Sequence, residues 1–251
     1  MKKWGAIIMI ILFFGCEAMN KEPSKSEYAL NEILREEINY GLIQDREILD
    51  STVNNLFFQF LFIENDTNSS LYNQVADFDM RNYDYTNSYQ EYLDSLVNSS
   101  PISRNHQFNG NWIEINKFRD EYFLYIPANR GVIGKTIISD STITDFMMDG
   151  ISPNLITTSI ITGERSELEL LTPAHVFGKQ NYIEQRKIEY LSREDDIIKI
   201  STFIDGELEY TKYYIPENRV YEYSIIVNYT DNPVMSSEFK FDYMEELKKS
   251  N

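Results

Sequence analysis

Residues 197–215, IIKISTFIDGELEYTKYYI, decide the fold of this chain. Two strand-like runs, 197–204 and 207–215, flank Asp205-Gly206, the pair that a two-residue type I′ hairpin requires because both of its central residues need positive φ. Downstream, Tyr221, Tyr223, Ile225, Val227 and Tyr229 alternate with Glu222, Ser224 and Asn228, and Phe239, Phe241 and Tyr243 alternate with Glu238, Lys240 and Asp242. Alternation at period two predicts strands with one buried and one wet face. Pro216-Glu217-Asn218 and Asp231-Asn232-Pro233 supply the intervening turns, so four consecutive antiparallel strands are expected. Upstream, strands are predicted over 111–118, 121–126, 132–139, 143–148, 155–161, 167–171 and 182–191. About ten or eleven strands on short turns predict a meander that curls into a barrel or a strongly curved sheet, since closure removes exposed edges.

The period before this region is helical. Over 27–63 the apolar residues Leu30, Leu34, Ile38 and Leu42, then Leu49, Val53, Leu56, Phe57, Phe60 and Leu61, recur at helix spacing, with Gly41 a place for the chain to turn unless one long helix runs through. Residues 64–87 are polar and predict loop with a short helix at 71–76. Ser88-Tyr89-Gln90-Glu91 fits a capping box for a helix over 89–97, which Pro101 ends. Helices first and strands afterwards predict an α+β fold rather than a parallel α/β one. The expected organisation is a helical region with a polar loop at 27–105 and an antiparallel β domain at 106–251.

The first residues carry an address. Lys2 and Lys3 precede an apolar stretch from Trp4 to Phe14, then Gly15 and the chain's only cysteine, Cys16. A basic start, a short apolar core and a small residue at the cut make a secretory leader. The apolar core is about half of the roughly 20 residues a bilayer-spanning helix needs. Leu12-Phe13-Phe14-Gly15-Cys16 resembles the lipobox of bacterial lipoproteins, although Phe13 and Phe14 are bulkier than the small residues usual there. The resemblance implies a signal peptide at 1–15, thioether-linked diacylglycerol on Cys16, acylation of its new amino group and attachment to a membrane. Residues 16–26, polar and containing Pro23, are expected to form a tether. In diderm bacterial lipoproteins Glu17 at the second mature position implies passage to the outer membrane, with the periplasmic or the surface face left open.

Loss of the leader removes Lys2 and Lys3 and takes the formal charge from −17 to −19. Such a surface repels phosphate backbones and excludes nucleic acid as a partner. With one cysteine no intrachain disulfide can form, so stability must come from a core, which a chain 42% hydrophobic and 14% aromatic can supply.

Motifs for chemistry are sparse. His106 and His175 stand in no ligand-spaced cluster, and no nucleophile elbow accompanies them, so neither a metal site, a cofactor nor an enzyme is expected. Glu167 and Glu169 share a side of a strand but alternate with Leu168 and Leu170, which marks their side as solvent. Asp77, Asp79, Asn82 and Asp84 crowd oxygens without the glycine and terminal glutamate of an EF-hand loop. Tyr83, Tyr85, Tyr89 and Tyr92 would suit stacking on sugars. Gly110-Asn111-Trp112, at the start of the β region, resembles the G-x-W motif of lipocalins, which implies a barrel whose floor Trp112 closes beneath an apolar ligand. The expectation is therefore a non-enzymatic, membrane-anchored envelope lipoprotein. It would bind a hydrophobic small molecule or an envelope protein on a curved sheet lined by Trp112, Tyr221, Tyr223 and Tyr229. The alternatives are a pocketless interaction protein of an envelope assembly and a surface glycan-binding module.

Overall fold

The Asp205-Gly206 turn forms as its sequence demands: the two residues take φ of 52° and 83°, and Ile204 faces Glu207 across the two-residue loop. The computed structural model describes residues 46–53, 57–78, 107–128, 133–147, 150–172, 182–230, 232 and 237–241, all within the unit formed by residues 45–251. Its strands are Glu47–Val53 (β1), Phe58–Glu64 (β2), Gly110–Phe118 (β3), Glu121–Ile126 (β4), Lys135–Ile138 (β5), Thr142–Met147 (β6), Gly150–Thr162 (β7), Arg165–Thr172 (β8), Tyr182–Ser192 (β9), Ile197–Ile204 (β10), Glu207–Pro216 (β11) and Ile225–Thr230 (β12). Two short helices accompany them, Ser70–Ala76 (α1) and the 3-10 helix Glu217–Glu222.

Eight strands close a barrel. From β5 to β11 each strand is antiparallel to the next, and β3 pairs with β11 through residues 112–115 and with β5 through residues 110–113. The order is up-and-down with one excursion, because β4 pairs with β3 only near their shared turn. It then runs parallel to β12, placing Leu124 beside Ile225. β12 is antiparallel to β2 and β2 to β1, so an outer sheet β4-β12-β2-β1 branches from the barrel wall.

Alternation sorts the side chains of the barrel. Trp112, Ile138, Ile143, Ile156, Leu168, Leu170, Ile188, Ile198, Ile200 and Tyr214 point inward and pack with Phe108. The outer wall of β8 to β10 carries Arg165, Glu167, Lys187, Glu189 and Lys199, with Lys199 2.7 Å from Glu189 and Arg165 2.9 Å from Glu167. In the outer sheet, Leu61, Ile63, Phe123 and Ile226 form one face, on which Phe239 and Phe241 lie. The residues 237–241 are not a strand. Polar side chains hold them instead: Gln59 Nε2 donates to the Ser237 carbonyl at 2.6 Å, Asn228 Nδ2 to the same carbonyl at 2.9 Å, and the Phe239 amide donates to the Tyr125 hydroxyl at 3.1 Å.

Several expectations are corrected here. The helical reading of 27–63 fails over its described part, since 47–53 and 58–64 are a strand pair. Every residue of β2, FQFLFIE, is buried, and a run buried on both faces shows no period that separates strand from helix. Its aromatic and β-branched content favours the extended form. The two-faced strand expected at 221–229 begins only at Ile225, and Ile225, Ile226, Val227 and Asn228 are all buried because the strand is central in its sheet. Tyr221 belongs to the 3-10 helix and Tyr223 follows it. Its pairing with β4 is parallel, so the meander ends at β11. The helix at 71–76 is present, with Ser69 Oγ accepting the Leu71 amide at 3.4 Å. Residues 27–45 and the helix expected over 89–97 lie outside the described residues.

Candidate functional site: the polar end of the barrel lumen

The inward rows of the barrel change character along its axis. On β9 Ile188 and Tyr190 belong to the apolar end, whereas Arg186 and Glu184, two and four residues earlier, point into the same lumen and are buried. On β6 the step is Ile143 to Asp145, and on β10 it is Ile200 to Thr202. The Arg186 guanidinium is the centre of the polar end. Nη1 and Nη2 donate to Asp145 Oδ1 and Oδ2 at 3.0 and 2.5 Å, and Nε donates to Glu184. Asp145 also accepts from Thr136 Oγ1 at 2.8 Å and from Asn154 Nδ2 at 3.3 Å. Burial alone would lower the pKa of Arg186, but Asp145 and Glu184 beside it hold it well above its ordinary value.

A second ion pair closes this end. Lys212 Nζ on β11 lies 2.7 Å from Glu114 Oε2 on β3, and although burial works against its charge, Glu114 keeps its pKa raised. Glu114 can lie here only because residue 134 is glycine: a Cβ at that position would stand 2.2 Å from Glu114 Oε2 and 2.6 Å from Glu114 Cβ. Tyr214 and Tyr210 complete the lining, both with pKa raised by burial and therefore neutral hydroxyls at physiological pH. Within this ring lies a cavity of about 30 Å³. Ligand pockets for drug-sized molecules measure roughly 300–1,000 Å³. Among the described residues, apolar side chains therefore occupy one end of the lumen and paired charges the other.

The predicted binding residues are not brought together. Trp112 is buried in the apolar end, and its Nε1 donates to the Phe108 carbonyl at 2.8 Å. Tyr221 is 45% exposed, stacks on Tyr72 with centroids 5.8 Å apart, and donates to Asn73 Oδ1 at 3.2 Å. Tyr223 donates to the Asp195 carbonyl at 3.5 Å, and Tyr229 sits in the outer sheet 5.7 Å from Phe58. Glu167 lies on the outer wall, where Arg165 pairs with it, and Glu169 accepts from Thr158 Oγ1 at 3.0 Å, while Leu168 and Leu170 are in the lumen. Cys16, His106, His175, and the acidic and tyrosine-rich run from 79 to 92 lie outside the described residues. Among the described residues no group of three or more His, Cys, Asp or Glu could hold a metal, and no helix is long and apolar enough to cross a membrane.

Asp145, Glu184, Arg186 and Lys212 were missed from sequence. The available signal was Glu184-x-Arg186-x-Ile188-x-Tyr190, opposite charges continuing into an apolar row. The other face of the same strand, Ile183, Gln185, Lys187, Glu189 and Leu191, is just as mixed, so composition could not say which face was inside. No protein family, curated protein or solved structure matches this chain.

Proposed function

We propose that this protein is a non-enzymatic envelope lipoprotein, held at the outer membrane by acyl chains on Cys16, in which a solid barrel is a rigid body for docking an envelope protein. The observation that carries this reading is the filled lumen. An acyl chain or sterol has no space beside the Arg186 cluster without breaking buried ion pairs. The outer wall supports the anchor. A barrel that spans a bilayer turns an apolar band outward, whereas Arg165, Glu167, Lys187, Glu189 and Lys199 occupy that position here. Attachment then falls to the lipid on Cys16, and several acyl chains at about 0.8 kcal/mol per buried methylene make it permanent.

Fractionation of cells making the wild type and Cys16→Ser tests the anchor. The wild type is expected in the membrane pellet and the variant in the soluble fraction; equal partitioning would overturn the address. A carrier for an apolar ligand is the second reading, favoured by the closed eight-stranded barrel and by Trp112 under its apolar end. Native mass spectrometry of the Cys16→Ser protein separates the two: a stoichiometric co-purified lipid would favour the carrier, and the bare protein mass the docking body.

A further inference from the structure

We propose that the polar end of the lumen is a built binding site for an ordered water molecule, which links Thr202 on β10 and Tyr210 on β11 to the Arg186 cluster. Thr202 lines the cavity, is fully buried, and its Oγ1 has no hydrogen-bond partner. Such orphaned groups are rare inside proteins and mark a place where a solvent molecule or an ion belongs. Tyr210 stands directly opposite Thr202 across the β10–β11 ladder. The two hydroxyls lie near one another, without a hydrogen bond of normal geometry between them. A molecule seated in the cavity gives Thr202 Oγ1 the partner it lacks.

Size and charge select water from the small candidates. The cavity, about 30 Å³, exceeds the roughly 10–15 Å³ that one water needs and is far too small for an organic ligand. Each charged side chain that lines it is already paired, Asp145 with Arg186, Glu114 with Lys212 and Lys135 with Glu217, so the field favours a dipole over a bare ion of either sign. Donors and acceptors are both at hand. Arg186 has five N–H groups and spends three on Asp145 and Glu184, the tyrosine and threonine hydroxyls can give or accept, and a buried water makes about three hydrogen bonds. The inference is independent of the membrane anchor and of any partner.

Crystals of the mature chain grown separately in sodium bromide and in rubidium chloride test the site. The expected result is a density peak at about 2.7–3.2 Å from Thr202 Oγ1 with no anomalous signal in either salt. An anomalous peak there would replace water by an ion, and an absent peak would leave a dry cavity; either overturns the proposal. The sign of a substitution gives a second reading that needs no crystals. In a dry site Thr202→Val deletes an unsatisfied hydroxyl and raises Tm. In a hydrated site it takes a partner from the water and lowers Tm by about 2–4 °C, with Thr202→Ser staying near the wild type. A rise for Thr202→Val would contradict the assignment.

Discussion

The two ends of the lumen stand on the same strands, two residues apart: Ile188 and Arg186 on β9, Ile200 and Thr202 on β10, Ile143 and Asp145 on β6. The apolar end is filled by shape. Its side chains have no required partner, so each contributes by the area it removes from water and by contact with its neighbours. At the polar end the filling is by pairing. There a residue is tolerated only while its partner remains, because two carboxylates share one guanidinium in a space that water barely enters. The contrast predicts single changes of similar cost at both ends but opposite behaviour when neighbours are changed together.

The largest effect is expected at the centre of the polar end. Arg186→Met leaves Asp145 and Glu184 buried and unpaired and should cost about 3–5 kcal/mol in chemical denaturation. Replacing all three together with apolar residues of similar volume should recover most of that loss, whereas a combined variant as unstable as the single one would break the comparison. At the apolar end Ile198→Ala should cost about 2–5 kcal/mol, and adding Ile188→Ala, diagonal to it on β9, should bring further loss and no rescue. Gly134→Ala is expected to cost about 1–3 kcal/mol by forcing Glu114 and its Lys212 partner to shift, and adding Glu114→Ala should recover little of it, because the Cβ at 114, 2.6 Å from the new methyl, remains.

The smallest effect is a pH dependence outside the barrel. Tyr72 is buried, donates to the carbonyls of Glu64 and Tyr223, and its pKa is pushed up to about 12, by burial first and then by Glu64 and Asp66. A phenol whose pKa is higher when folded favours the folded state fully while it stays protonated in both states. That contribution is present below the ordinary value of 10.0 and is lost as pH rises toward 12. Tm should therefore fall between pH 10 and 12, and less steeply in Tyr72→Phe; identical slopes would remove Tyr72 from the cause.

The barrel was legible in sequence because its strands are exposed on one side. On β3, β9, β10 and β11, and on β4 beside the barrel, the predicted and observed bounds agree within a residue or so; outer residues alternate with buried inner ones on β9, and Asp205-Gly206 fixes the register of the β10–β11 hairpin. The outer sheet was not legible for the converse reason. Phe58 to Glu64 and Ile225 to Asn228 are buried on both faces, and Phe239 and Phe241 alternate as in a strand yet are held flat on a sheet face by Gln59, Asn228 and Tyr125. Trp112 was located correctly at the barrel's start, but tyrosines 221, 223 and 229 were grouped by an alternation that the 3-10 helix interrupts. The Arg186 cluster draws on β6 and β9, and Lys212 with Glu114 on β11 and β3, a proximity made only by closure.

Whether the lumen is filled is tested most directly by titrating the Cys16→Ser protein with a fluorescent fatty acid. A solid barrel predicts no saturable uptake and no change when Ile200 is enlarged to Phe. One-to-one binding that Ile200→Phe abolishes, in a variant that keeps the wild-type fold, would contradict it.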